Sequence, residues 1–167
     1  TLSSSSAASD VYKRQAVIAS KAGVDGMVGG QSLDVYLTDK PMDKEQLDYI
    51  FRLKTGALIE AAFMAGGILA GCDEKTQGLL CKAGYNVGFA FQIKDDILDV
   101  TSTQEVLGKP VLSDERNNKT TYVTLYGLEK AEKDTYDMSK EAMGIIKSIG
   151  HNEYLEELIN MLIHRNK

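Results

Sequence analysis

The sequence predicts an all-α fold. Three observations carry this expectation. Only 2 of 167 residues are proline. No run of alternating apolar and polar residues is long enough to make a strand. Long stretches instead space their apolar residues as an amphipathic helix does. Apolar residues make up 43% of the chain, which suits one buried core, and a chain of this length is most simply a single domain.

The elements follow in order. Residues 1–15 are rich in Ser and Ala and carry almost nothing to bury, so they read as a foreign or disordered extension ahead of a globular part at 16–167. Residues 16–22 read as the tail of a helix whose beginning is missing. Val24 to Leu37 reads as a helix despite Gly26, Gly29 and Gly30, and Asp39-Lys40-Pro41 ends it. Asp43 with Gln46 has the spacing of a capping box and opens a helix to about Leu69. Gly71 and Asp73 punctuate, and a long helix then spans Glu74 to Val100. Residues 102–118 are polar, hold Gly108, Pro110, Asn117 and Asn118, and read as a loop of active-site size. Thr120 to Tyr126 is a short helix stopped by Gly127; Leu128–Ile149 and Asn152–His164 are amphipathic helices.

Composition narrows the function classes. Net charge is −5, from 19 basic and 24 acidic residues, which argues against a nucleic-acid surface. No apolar run approaches the length that spans a bilayer, and neither a secretory signal nor a lipidation motif is present. Cys72 and Cys81 are nine positions apart on expected helix and read as reduced thiols, which fits the cytoplasm. With two histidines, His151 and His164, and no Cys/His cluster, zinc is not expected.

The most informative segment is Phe91-Gln92-Ile93-Lys94-Asp95-Asp96-Ile97-Leu98-Asp99, which sets three carboxylates within five residues of an otherwise apolar helix. Asp95 and Asp99 lie one turn apart on one face. Like charges at that spacing repel by roughly 0.2–0.5 kcal/mol per pair on an exposed helix and by more when partly buried. A hard cation relieves the repulsion: Mg²⁺ binds through one or two carboxylates, keeps waters, and is completed by substrate phosphates. The alternative is a solvated acidic face. No glycine stands where an EF-hand loop requires one.

Three further features are out of place in a plain core. Gly29-Gly30-Gln31-Ser32-Leu33-Asp34 sets Gln31 and Asp34 on one helical face, beside glycines that serve either close helix packing or room for a substrate. Lys54-Thr55-Gly56 interrupts an amphipathic helix, a local break of the kind that turns a backbone carbonyl toward a ligand. Lys109, Asp114 and Lys119 sit in or beside the 102–118 loop, and lysine ammonium groups suit phosphate.

In this order, Gly-Met-Val-Gly-Gly-Gln-x-x-Asp at 26–34, Lys-Thr-Gly-Ala-Leu-Ile at 54–59, the Asp-rich run at 91–99, and Gly-Lys-Pro-Val-Leu-Ser-Asp at 108–114 leading into Asn-Lys-Thr-Thr-Tyr at 118–122 resemble the trans-isoprenyl diphosphate synthases. These are the polyprenyl synthetases of the isoprenoid synthase helical bundle. The resemblance covers Ala16 to the C-terminus. It implies that Asp95, Asp96 and Asp99 are the second Asp-rich motif and bind Mg²⁺, with Asp95 the most direct ligand. It implies that Lys54 and Lys109 contact an allylic diphosphate, with Lys119 nearby. Thr55, Gln92 and the Lys54 carbonyl would stabilise the allylic carbocation, and Gln31 and Asp34 would line the cavity. The implied reaction condenses dimethylallyl or geranyl diphosphate with isopentenyl diphosphate. Farnesyl diphosphate is the expected product, from likeness through Thr121–Ala131 and the tail Ile163–Lys167; a geranylgeranyl or longer product is the alternative. Family members are homodimers and carry a first Asp-Asp-x-x-Asp motif with basic partners on upstream helices. Asp95-Asp96 is the one Asp-Asp pair in this sequence. The expectation is therefore the C-terminal part of a synthase, an incomplete bundle with little turnover by itself. An accessory subunit or a helical interaction module with an acidic stripe are the competing readings.

Overall fold

The computed structural model describes residues 2–102 and 119–165. All regular structure among them is helical: α1 (Leu2–Ala22), α2 (Met27–Tyr36), α3 (Lys44–Ile50), a π-helical segment (Phe51–Gly56), α4 (Ala57–Leu69), α5 (Glu74–Thr101), α6 (Tyr122–Tyr126), α7 (Leu128–Ile149) and α8 (Glu153–His164). No helix among the described residues is long and apolar enough to cross a membrane.

Local sequence explains most boundaries. Asp43 caps α3 through Gln46 N–H while the Gln46 side chain accepts from Asp43 N–H, so the expected capping box forms. The Asp73 carboxylate accepts from Thr76 N–H and opens α5. Thr121 and Thr124 cap α6 reciprocally, and Gly127, at φ 84°, ends it in a conformation that side chains with a Cβ disfavour. Two boundaries differ from expectation. Residues 2–15 continue one helix with 16–22 rather than forming an irregular extension, since no Gly or Pro interrupts Leu2–Ala22. α2 begins at Met27, not Val24, because residues 24–26 form a turn closed by Gly26 N–H on the Gly23 carbonyl.

α5 is the central strut. α4 and the π-helical segment pack on one side of it and α7 on another; α1 lies on α4, α2 on the π-helical segment, and α8 on α7. Glycine permits the close approach of α5. A Cβ on Gly84 would come within 2.8 Å of Glu60 Cα, and one on Gly88 within 2.7 Å of Gly56 Cα. Two apolar clusters flank the strut. One gathers Leu47, Ile50, Phe51, Phe89, Ile93, Ile97 and Tyr122 around the C-terminal half of α5. The other gathers Leu80, Val87, Ala142, Ile146 and Ile159 around its N-terminal half. Phe51 and Phe89 meet edge to face at 5.6 Å. Cys72 and Cys81 are free thiols, as expected, and burial followed by the Glu60 carboxylate pushes the Cys81 thiol up.

Candidate functional site

The site begins with a break in a helix. At Phe51–Gly56 the chain between α3 and α4 widens into a π turn, and Lys54-Thr55-Gly56 forms its second half. Such turns inside α-helices gather at functional sites because they disturb the regular carbonyl ladder. The Lys-Thr-Gly run had signalled this interruption.

Two helices close on the break. α2 approaches through Gly30, where an added Cβ would lie 2.3 Å from the Lys54 backbone nitrogen. Close packing is therefore what Gly30 serves. One turn further along α2, the Asp34 carboxylate takes a 2.6 Å ion pair from Lys54 Nζ. Asp34 also lines a cavity of about 230 Å³ with Leu37, Met42, Lys40 and Lys119. The second helix, α5, approaches through Gly88. Gln92, Asp95 and Asp99 follow at i+4, i+7 and i+11 from Gly88 and so share the face that meets the π-helical segment.

The three carboxylates have different surroundings. The Asp95 side chain is 45% exposed; its Oδ1 accepts from Arg165 Nη2 at 2.5 Å, and Gln92 Nε2 lies 3.4 Å from its Oδ2. Asp96, 100° further round the helix, is 7% exposed, and its Oδ2 accepts the Tyr122 backbone N–H at 2.6 Å. Asp99 is 2% exposed. Among the described residues no three His, Cys, Asp or Glu side chains converge into a metal-ligating group. The motif is thus one accessible carboxylate backed by two inward ones. That fits Mg²⁺, which is held through one or two carboxylates and otherwise by water and phosphate.

Of the residues singled out from sequence, Asp34 and Lys54 are brought into contact, Asp34 and Lys119 line one cavity, and Gln92 and Asp95 adjoin. Gln31 is half-buried on α2 and Thr55 lies within the π turn, half-buried. Lys109 and Asp114 lie outside the described residues. Two residues beside these were not singled out from sequence as site residues. Arg165 stacks over the Phe91 ring at 3.9 Å and bonds the Phe91 carbonyl at 2.9 Å while pairing with Asp95, 70 residues away. Lys40 lies over the Tyr36 ring and donates to the Tyr36 carbonyl at the mouth of the cavity.

Behind the site, Tyr122 donates its hydroxyl to Asp134 at 2.7 Å. Burial, then this bond, push the Tyr122 phenol well up from its ordinary value. Burial alone would raise the Asp134 carboxyl, but hydrogen bonds from Lys130 and Tyr122 outweigh it and hold the group below the ordinary range.

The chain is similar to known proteins along most of its length. It is 40% identical to a farnesyl diphosphate synthase of Micrococcus luteus over 152 residues, covering 90% of this chain and 52% of that protein. It is 39% identical to a geranylgeranyl diphosphate synthase of Cyanophora paradoxa over 133 residues, covering 79% of this chain and 44% of that protein. Among solved structures it superposes on a geranyltransferase of Helicobacter pylori complexed with magnesium and isoprenyl diphosphate. There the TM-score is 0.74 and the identity 31%, over 92% of this chain and 51% of that one. The chain spans about half the length of the curated relatives it matches. A family model described as polyprenyl synthetase matches residues 4–162. The matched stretch carries the Gln31–Asp34, Lys54–Gly56 and Asp95–Asp99 motifs in the order the resemblance requires, and the chain belongs to the polyprenyl synthetase family.

Proposed function

We propose that the protein carrying this sequence is a prenyltransferase that condenses dimethylallyl diphosphate, and then the resulting geranyl diphosphate, with isopentenyl diphosphate to give farnesyl diphosphate. The observation that supports it best is the apposition of the Lys-Thr-Gly π turn, the Asp34–Lys54 pair and the Gln92/Asp95 face of α5. A magnesium diphosphate needs a cationic side chain, an interrupted backbone and a half-exposed carboxylate; the first two lie at the break that packs on α5, and α5 carries the third, Asp95, two turns beyond its contact with the break at Gly88. Asp95 would hold magnesium, which would supply neutralising charge for the departing diphosphate.

The chain's own residues do the rest. Lys54, with Lys109 and Lys119, holds the diphosphate as the allylic C–O bond breaks and its electron pair leaves on oxygen. Thr55, Gln92 and the Lys54 carbonyl face the resulting cation with negative dipole ends. The double bond of isopentenyl diphosphate attacks the cation, and loss of a proton to the released diphosphate restores neutrality. Phe51, Phe89 and Ile93, buried beside the π turn, keep water from that side. A geranylgeranyl or longer product is the second reading, favoured by the nearly equal identity to enzymes of both product classes. A homodimer and a cytoplasmic location, which two free thiols suit, belong to the same proposal.

Calorimetric titration of this chain with pyrophosphate, with and without Mg²⁺, tests the site directly. Binding is expected to require Mg²⁺ and to weaken at least tenfold, about 1.4 kcal/mol, in Asp95→Ala and in Lys54→Ala. Unchanged binding in Asp95→Ala counts against the clamp and for a helical interaction module.

A further inference from the structure

Asp96 belongs to the Asp-rich run by sequence, yet its carboxylate has an intramolecular task. It is 7% exposed, and its Oδ2 accepts the backbone N–H of Tyr122 at 2.6 Å from 26 residues away. Tyr122 is the first residue of α6, whose cap is the reciprocal Thr121/Thr124 pair. Immediately before the cap, the Thr120 hydroxyl accepts the Met42 backbone N–H at 3.1 Å, across 78 residues. The chain at 120–122 is therefore fixed at both ends by hydrogen bonds to distant elements, α5 on one side and the turn before α3 on the other. Lys119 directly precedes this fixed stretch and lines the cavity that also holds Asp34, the partner of Lys54.

We infer that Asp96 is a positioning residue that sets the register of Lys119 toward the diphosphate, and that the metal-facing role in the motif falls to Asp95. This rests on the diphosphate reading given above. The chemistry separates the two tasks. A metal needs an anionic oxygen, whereas a backbone N–H is satisfied by any well-placed carbonyl-type oxygen. Asparagine at 96 keeps that acceptor and gives up the charge. Alanine gives up both and lets the 119–122 segment move.

The test is a set of pyrophosphate and Mg²⁺ titrations on the 167-residue chain, paired with amide NMR. Asp96→Asn is expected to stay within about twofold of the parent in pyrophosphate affinity and in half-saturating Mg²⁺. Asp95→Asn is expected to raise half-saturating Mg²⁺ about tenfold. Asp96→Ala should weaken pyrophosphate binding about three- to tenfold, matching Lys119→Ala, and the double variant Asp96→Ala/Lys119→Ala should be no weaker than either single one. Independently of any ligand, the Tyr122 amide should remain protected from exchange in Asp96→Asn and lose protection in Asp96→Ala. A rise in half-saturating Mg²⁺ for Asp96→Asn equal to that for Asp95→Asn makes Asp96 a ligand and overturns the inference. Additive losses in the double variant overturn it too, since Asp96 then does not act through Lys119. If Asp95→Asn and Lys119→Ala both bind as the parent does, the diphosphate reading itself falls and takes this inference with it, even with the Tyr122 amide behaving as expected.

Discussion

Neighbouring residues of one type meet different partners here, and the difference is set by direction around a helix. Asp95 and Asp96 are adjacent in sequence but 100° apart on α5. One meets a guanidinium near the surface and the other a buried backbone N–H. The same contrast of surroundings makes Asp134 a test of electrostatics. Its folded pKa is held below the ordinary Asp value of about 3.9 by Lys130 and Tyr122. The stabilisation is therefore complete above that value and is lost as pH falls through the depressed folded value. Asp134→Asn is expected to lower Tm at pH 7 by about 2–4 °C, corresponding to about 1 kcal/mol. The gap to the parent protein should narrow as pH falls below the ordinary Asp value and through the depressed folded one. A gap that stays equal across that fall would remove charge from the explanation. The carboxylate run and the lysines were legible as candidates because their cost in an apolar helix is local. Which carboxylate faces outward was not, because it depends on Tyr122 and Arg165, 26 and 70 residues away.

At the scale of the helix, glycine has opposite meanings at positions that look alike in sequence. Gly78 and Gly88 both lie inside α5. A Cβ at Gly78 meets nothing within 4 Å, so Gly78→Ala should stabilise by about 0.5–1 kcal/mol through helix propensity. A Cβ at Gly88 would press on Gly56 Cα at 2.7 Å, at the end of the π turn, so Gly88→Ala should destabilise by about 1–3 kcal/mol and push α5 away from Lys54. Urea unfolding of the two variants checks both signs, and a stabilising Gly88→Ala would mean that α5 and the π turn are not in close contact. Helix existence and several ends were readable from Asp43, Asp73, Asn152 and Gly127, because caps act within a single turn, whereas the Thr121 cap set the short helix two residues later than expected. The interruption at Lys54-Thr55-Gly56 was readable too, though its π geometry became visible only in the structure.

Across the whole molecule, α1 lies on α4 and is tied to it by the ion pair of Lys21 with Glu60, which is itself 3% exposed. Lys21→Met strands that carboxylate and is expected to destabilise by about 1–3 kcal/mol. Hydrogen exchange should show the loss concentrated in α1 and α4; a uniform loss across α5 and α7 would mean that the pair supports the whole core. The sequence by itself determined that the protein is all-helical, where several helices start and stop, and that the candidate site residues lie at Asp95–Asp99, Lys54–Gly56 and Gln31–Asp34. Those signals rest on interactions within a turn or two of chain. Tertiary structure alone decided that Asp34 pairs with Lys54, and that Asp96 turns inward while Asp95 stays half-exposed. Each of those depends on which distant backbone or charge arrives opposite, and that is fixed by how α2, α5 and α6 pack around the π turn.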